Sequence, residues 1–458
     1  MSEIEHPEED LTISELEHIS DELLLNDQGP QTDSHRIKLA EVTELATQPL
    51  PPSHMAVDVE AIVAGHICLD IIPTLPGGPI TIVPGRLIEA GKAILSTGGP
   101  VSNTGLALYK LGITTRLMGK VGDDLFGQAI LQLIEAEGKG LARGMVIARD
   151  ESSSYSVILS PPNTDRIIIH SPGSNDTFGA DDVRYDLLET AGLFHFGYPP
   201  LMARMYSDEG GELARIFARA KELGVTTSLD LGMPDPATPA GKADWRTILT
   251  NTLPYVDVFL PSIEELLLLL RRQTFEKLSS KAGKHGSILD LVSPELFSEL
   301  GSMMLDMGAR IIGIKAGYRG LYLRTADLHK IEQIGRAQPT RLVAWTDREL
   351  WAPCFSTPVV GTTGAGDATI AGFLMGLLRG MMPEATLSAA CAVGACNVEA
   401  ADALSGIKSW PETMERIAAG WPRLLVEKKG RPALDMASFK WRWDEAHEVW
   451  IGPSDHQY

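Results

Sequence analysis

Val57-Asp58-Val59-Glu60-Ala61-Ile62-Val63-Ala64-Gly65 is a β-rich run that stops at a glycine, the pattern of a core strand entering a turn. Similar runs recur at Leu193–Gly197, Thr226–Gly232, Val256–Leu260 and Ile311–Gly317. Helical patterns lie between them, at Asn103–Leu111, Glu212–Leu223 and Glu264–Leu270. Strands that alternate with helices predict a mostly parallel α/β sheet covered on both faces. Two stretches break the alternation. Ile80–Ile94 holds short β-like pieces, and Tyr155–His170 reads as a hairpin around Pro161-Pro162-Asn163. Neither has a helix beside it, so together they predict a small separate sheet, the place from which a lid would come.

The chain around this alternation has 458 residues and a formal net charge of −20. Such a charge argues against nucleic acid as a partner, because a phosphate backbone calls for clustered Lys and Arg. Much of the charge is local: from Met1 to Met55, thirteen acidic residues face only Arg36 and Lys38. That segment ends in Gln48-Pro49-Leu50-Pro51-Pro52-Ser53, a linker composition, so residues 1–55 are expected to form an acidic, disordered extension. Ile13, Leu16, Ile19, Leu23 and Leu24 within it have the spacing of a short amphipathic helix. Residues 56–425 are then the folded unit and 426–458 a C-terminal extension, whose Trp441, Trp443 and Trp450 predict partial packing on the core. Arg271–Gly286, polar and Lys-rich, reads as an insertion. No apolar run approaches the roughly 20 residues that span a bilayer. The start, Met-Ser-Glu-Ile-Glu, lacks the basic and apolar regions of a signal peptide. Four cysteines without a CxxC pair or disulfide spacing complete the expectation of a cytoplasmic protein with no membrane partner.

Two glycine-dense stretches carry the candidate chemistry. Gly361-Thr362-Thr363-Gly364-Ala365-Gly366-Asp367 leads into a helical pattern, so its backbone N–H groups would lie at the positive end of a helix dipole, where they stabilise anionic charge. It lacks the Lys-Ser/Thr ending of a Walker loop. Taken alone, the same stretch also reads as a tight turn before a helix capped by Asp367. Gly98-Gly99-Pro100-Val101-Ser102-Asn103 is the second stretch: the glycines permit close approach of a ligand, and the Asn103 amide suits a polyol, although Asn103 also reads as a helix cap. Asp70, in Gly65-His66-Ile67-Cys68-Leu69-Asp70, follows the first strand, where open α/β sheets bind ligands. Gly119–Gly127 reads mainly as a structural turn.

In order and identity these motifs resemble those of the ribokinase-like (PfkB) carbohydrate kinases, over roughly Ala56 to Arg423. Gly119–Gly127 matches the family's GxVGxDxxG element, and Ser171-Pro172-Gly173-Ser174-Asn175 resembles its Gly-Ala-Asn after the lid hairpin. Asp230-Leu231-Gly232-Met233-Pro234 and Lys315-Ala316-Gly317-Tyr318-Arg319-Gly320 fall where the family has counterparts. The resemblance implies a three-layer α/β/α sandwich with a β-lid that often pairs two subunits, hence a homodimer. It implies phosphate transfer from ATP, with Mg²⁺, to a hydroxyl of a sugar-type small molecule. Asp367 would be the base and Gly364, Ala365 and Gly366 the anion hole; Asp70, Gly98, Gly99 and Asn103 would hold the sugar. Lys315, Gly317 and Gly320 would border the nucleotide, joined by Ser262 and Asn397. Glu265 would reach the metal through water. A nucleoside kinase of the same fold, or a weakly catalytic sugar- or nucleotide-binding sensor, are the alternatives.

Two positions depart from the family pattern. Ser262 stands where its Asn-x-x-Glu element begins, and Gly361 where its C-terminal signature usually begins with Asp. In ribokinase-like members that Asp helps hold a monovalent cation, so weak or absent potassium activation is expected. Arg86, Lys92 and Arg166 are candidates for a phosphate on the substrate, or ordinary surface charges. His66, His170 and His195 lack metal-ligand spacing and read as strand-end polar groups. Cys391 and Cys396 read as small buried residues of an Ala-rich helix.

Overall fold

The structure, a computed structural model, describes residues 59–75, 85, 87–160, 167–283, 286–424 and 436–456. The acidic segment 1–55, Arg86 and Arg166 lie outside them. A ten-stranded sheet forms the frame. Its parallel half consists of β1 (Val59–Gly65), β4 (Thr115–Met118), β9 (Ala191–Gly197), β10 (Thr226–Leu229), β11 (Val258–Phe259) and β12 (Ile311–Lys315), ordered β4-β1-β9-β10-β11-β12. Beyond β12 the sheet turns antiparallel through β13 (Leu321–Thr325), β14 (Glu349–Ala352), β16 (Val449–Ile451) and β15 (Arg442–Asp444). Residues near the C-terminus thus add two strands to the main sheet, and Trp441 packs edge-on against Tyr322 and Trp351.

Successive side chains of a strand point to opposite faces, so a strand covered on both faces is apolar throughout. β1 shows this directly. Ala61 and Val63 join a core with helices α1 (Pro100–Lys110), α2 (Leu125–Glu137), α8 (Ala365–Leu378), α9 (Pro383–Asn397) and α10 (Trp410–Ala418). Ile62 and Ala64 join a second core with α3 (Gly211–Glu222), α4 (Trp245–Thr252), α5 (Ile263–Leu270) and α7 (Pro294–Asp306). The result is the three-layer α/β/α sandwich that the alternation predicts. Within Arg271–Gly286, α6 (Arg272–Ala282) buries none of its residues. Among the described residues no helix is long and apolar enough to cross a membrane.

A second sheet, ordered β3-β2-β7-β8, stands apart from the sandwich. It comprises β2 (Cys68–Pro73), β3 (Ala93–Gly98), β7 (Tyr155–Leu159) and β8 (Ile167–Ser171), with β2 and β7 parallel and the outer pairs antiparallel. The hairpin expected at Tyr155–His170 is β7–β8. Of Ile80–Ile94, only residues 93 and 94 are in a strand, and residues 80–84 and 86 lie outside the described set. The partners of the hairpin are instead the segments that carry Asp70 and Gly98, so this sheet is built from the site's own motifs.

The Gly119–Gly127 turn joins the two parts. β5 (Lys120–Gly122) pairs with β6 (Val146–Ala148), and Asp124 accepts hydrogen bonds from Gly127 N at 2.7 Å and from Ser153 N and Oγ at 2.8 and 2.6 Å. One carboxylate thereby caps α2 and sets the entry to β7. Asn175 does similar work, bonding Ile67 N and O through its side-chain amide at 3.2 and 2.9 Å and fixing the β1–β2 junction.

Candidate active site

The parallel strands end on one side of the sheet, and the residues that follow them converge there: His66 after β1, Tyr198 after β9, Asp230 after β10, Ser262 after β11, and Lys315 at the end of β12. Crevices at the carboxyl ends of parallel strands are where open α/β sheets bind ligands. Two helices start at this rim. α1 begins after Gly99, whose φ of 86° is the left-handed conformation that a β-carbon disfavours, and α8 begins after Gly364 at φ 72°. Neither start has a side-chain cap. The first N–H groups of each helix therefore need partners from elsewhere.

Asp367 decides between the two readings of its loop. It sits in the first turn of α8, yet its carboxylate turns away from the helix end. Oδ2 accepts from Asn103 Nδ2 at 3.0 Å, Oδ1 from Thr104 Oγ1 at 3.4 Å, and both oxygens lie 3.0 Å from Tyr198 Oη. Asp367 is a held carboxylate, not a cap. Asn103 likewise lies inside α1 and is not its cap. Burial pushes the Asp367 carboxyl above the usual carboxylate range, while Asn103, Lys315, Tyr198 and Thr104 oppose the rise. Burial and the neighbouring Asp367 push Tyr198 well up, so its phenol stays a donor. Tyr198 and Thr104 escaped the sequence reading. Tyr198 has a left-handed backbone at φ 60°, held by its N–H on Asp230 Oδ1 at 3.0 Å.

Beside this group Lys315 donates from Nζ to Leu260 O at 2.7 Å and runs past Gly366. A β-carbon at Gly366 would meet only the Lys315 side chain, at 3.8–4.0 Å, so the glycine leaves open space between the helix start and the cation. That space continues into a cavity of about 250 Å³ lined by Lys315, Gly317, Gly320, Ala365, Gly366 and Val398, among others. Ser262 and Asn397 do not line it. Ser262 and Glu265 form a reciprocal cap of α5, with Ser262 N donating to Glu265 Oε2 at 2.6 Å and Glu265 N to Ser262 Oγ at 3.2 Å. The Asn397 amide donates to Ala403 O at 2.9 Å and Thr363 O at 3.5 Å, pinning the loop before α8.

The sugar-side candidates also come together. A β-carbon at Gly98 would lie 2.3 Å from Asp70 Oδ2 and would displace that carboxylate, and one at Gly99 would lie 2.5 Å from the backbone atom His66 O, so close contact requires a glycine at 99 and Gly98 makes room for Asp70. Asn103 follows one turn along α1, its N–H on Gly99 O at 2.8 Å. Lys92 is exposed on the approach to β3. Of the three histidines, His66 and His170 face each other with Nε2 atoms 3.3 Å apart. His195 lies inside β9, not at its end, bonded to Ser228 Oγ at 2.9 Å.

An oxygen-donor metal has partial fittings here. Asp230 is fully buried, with Oδ2 lacking a partner; burial and the nearby Asp367 and Glu265 raise its carboxyl, and Lys315 opposes the rise. Burial also raises Glu265. Several acids around one lysine suit a hard cation. Among the described residues no three His, Cys, Asp or Glu side chains converge to ligate an ion directly. Mg²⁺ commonly keeps several of its waters, so the residues present fit it as indirect ligands.

Comparison with known proteins agrees with this geometry. The pfkB family carbohydrate kinase profile matches residues 60–410, and the chain belongs to that family. It is 28% identical over 275 residues to an uncharacterized sugar kinase of Archaeoglobus fulgidus, covering 60% of this chain and 87% of that one. It is 25% identical over 364 residues to the 2-dehydro-3-deoxygluconokinase of Bacillus subtilis, covering 76% and 93%. In structure it resembles the ribokinase of Arabidopsis thaliana complexed with ribose and ATP, at a TM-score of 0.58 and 20% identity, covering 80% of this chain and 99% of that one. The fold is ribokinase-like, and the chain is a carbohydrate kinase.

Proposed function

We propose that the protein transfers the γ-phosphoryl group of ATP to a hydroxyl of a sugar or sugar-like molecule, with Asp367 as general base. The observation that carries this reading is the placement of Asp367. Its carboxylate is held by Asn103, Thr104 and Tyr198 at the start of a helix without a side-chain cap. Asp367 takes the proton of the attacking hydroxyl as its oxygen bonds to phosphorus and the bond to the ADP oxygen breaks. The N–H groups of Gly364, Ala365 and Gly366 and the Lys315 ammonium hold charge on the transferring group. Asp70, Gly98, Gly99 and Asn103 seat the sugar, and the cavity beside Gly317 and Gly320 takes the nucleotide. Glu265, through water, and Asp230 would hold Mg²⁺, which when bound neutralises phosphate charge. Four free thiols accord with a cytoplasmic setting.

The test is an ATP-consumption screen over sugars, sugar acids and nucleosides, run beside Asp367→Asn. Turnover of a sugar by the parent, and a kcat lower by about 10²–10⁴-fold in the variant, is expected for loss of a general base. Equal turnover by Asp367→Asn overturns the base assignment. Turnover of nucleosides alone would make the protein a nucleoside kinase, and thermal shifts without turnover would make it a sensor.

A further inference from the structure

A chain of polar groups runs from the half-buried Asp70 through buried Cys68 and Ser156 and the exposed His170 to buried His66, and phosphoryl transfer uses only its first member. The Cys68 thiol donates to Asp70 Oδ1 at 3.2 Å. Burial and the adjacent Asp70 push the thiol's pKa up, so it keeps its proton. Ser156 Oγ donates to Cys68 Sγ at 3.7 Å, which spends the hydroxyl's single proton. Ser156 Oγ also lies 3.0 Å from His170 Nδ1; with its proton on the thiol it accepts from Nδ1–H. Partial burial lowers the pKa of His170 against the pull of Asp176, so the ring is neutral, and in this arrangement its Nε2 is bare. In the same arrangement the His66 Nε2 atom 3.3 Å away is the donor. Burial, then His170, lower the His66 pKa to about 3, so this ring is neutral too. The relay thus puts the ring's proton on Nε2 and leaves a lone pair on Nδ1.

That lone pair has no partner, in a residue only 3% exposed. It faces Gly99, where a β-carbon would lie 2.6 Å from Nδ1. Asn103 Oδ1, one helical turn on, is a second buried acceptor without a partner, because its Nδ2 is committed to Asp367. Buried acceptors are rarely left unpaired without a functional reason. Two neutral acceptors call for O–H donors, and a carboxylate or a phosphate dianion has none to offer.

We propose that His66 is a specificity-determining residue whose Nδ1 accepts a hydrogen bond from a hydroxyl of the acceptor molecule. Its tautomer is set by the relay through His170, Ser156 and Cys68 to Asp70, and this end of the site receives a hydroxyl of the acceptor molecule, never a carboxylate or a phosphate dianion. The inference rests on the sugar-kinase reading in taking Gly98–Gly99 as the sugar cradle.

Long-range ¹H–¹⁵N spectra of the full chain labelled at histidine test it without turnover, with assignments from His66→Gln and His170→Gln. The expected spectrum has His66 protonated at Nε2 and His170 at Nδ1, and Ser156→Ala turns the His170 signal into a tautomer mixture. A proton on His66 Nδ1 overturns the proposal. Adding D-fructose or D-ribose is expected to move the His66 Nδ1 resonance, and acetate, a carboxylate with no hydroxyl, to leave it in place. A shift with acetate alone, or with neither sugar, overturns it. In kinetics, His66→Phe should raise KM for a neutral sugar about tenfold, with little change in kcat, as for one lost hydrogen bond. An unchanged KM overturns it. If no sugar is phosphorylated, the kinase reading falls, while the tautomers and resonance shifts still decide this one.

Discussion

At the scale of single residues, the site is governed by what surrounds one carboxylate. Burial raises the Asp367 carboxyl, and the Tyr198 phenol is one of the groups that restrain the rise. A base must be ionised to accept a proton, so activity is lost as pH falls through this raised value. Tyr198→Phe removes a stabilising donor, and the acid limb of the kcat–pH profile is expected to move to higher pH; a limb that stays in place or moves down would refute the contact's role. Gly361 marks a departure that cannot be repaired by restoring an acid. A β-carbon there would lie 2.9 Å from Ala400 O, Ala401 Cα and Ala401 O, all backbone atoms. Gly361→Asp is therefore expected to destabilise the protein by about 1–3 kcal/mol, as overpacking does, read as a lower denaturant midpoint. Replacing sodium by potassium is expected to leave kcat of the parent unchanged; a severalfold gain would show a cation site built without this residue.

At the scale of elements, legibility in the sequence followed the range of the signal. β1, β9 and β10 were readable because apolar runs and glycine stops are local. β15 and β16 were not, being three residues each, too short to show a period. The two glycine loops were legible as helix starts, but only the folded chain shows that Asp367 and Asn103 bond each other instead of capping their helices. Ser262-Ile263-Glu264-Glu265 carries its own explanation, since S-x-x-E is a capping-box signature, and the structure uses both side chains that way. Tyr198 and the His66–His170 pair had no sequence signal, because their partners come from distant strands. The small sheet makes a prediction of its own. Ile94, Leu95, Ile167, Ile168 and Ile169 on its outer strands are 44–56% exposed, an apolar surface that a monomer seldom leaves bare. We propose that a second copy covers it. Ile168→Lys, placing a charge on that surface, is expected to convert a dimer to a monomer in sedimentation; a parent that sediments as a monomer would rule the pairing out.

At the scale of the whole molecule, the antiparallel flank is held to the helix layer that covers it by a buried ion cluster. Arg348 bonds Asp455 Oδ2 at 2.9 Å and Glu384 Oε1 at 2.6 Å, joining β14, α9 and the segment after β16. All three are nearly inaccessible, and removing one partner leaves the cation under-compensated in a dry place. Asp455→Ala is expected to cost about 3–5 kcal/mol in denaturant unfolding; a change below 1 kcal/mol, roughly the value of an exposed pair, would show that the cluster is not dry. The bond between Asn103 and Asp367 has another consequence at this scale, one of time. It joins residues 264 apart in sequence, and the Tyr198–Asp367 bond joins residues 169 apart. Closing such long loops costs entropy that no local contact offsets, so these bonds are late events on the route to the native state. On dilution from denaturant, helical circular dichroism should recover first and activity only with the slowest phase. A molecule caught part-way would look folded to a spectrometer and be inert to its substrates.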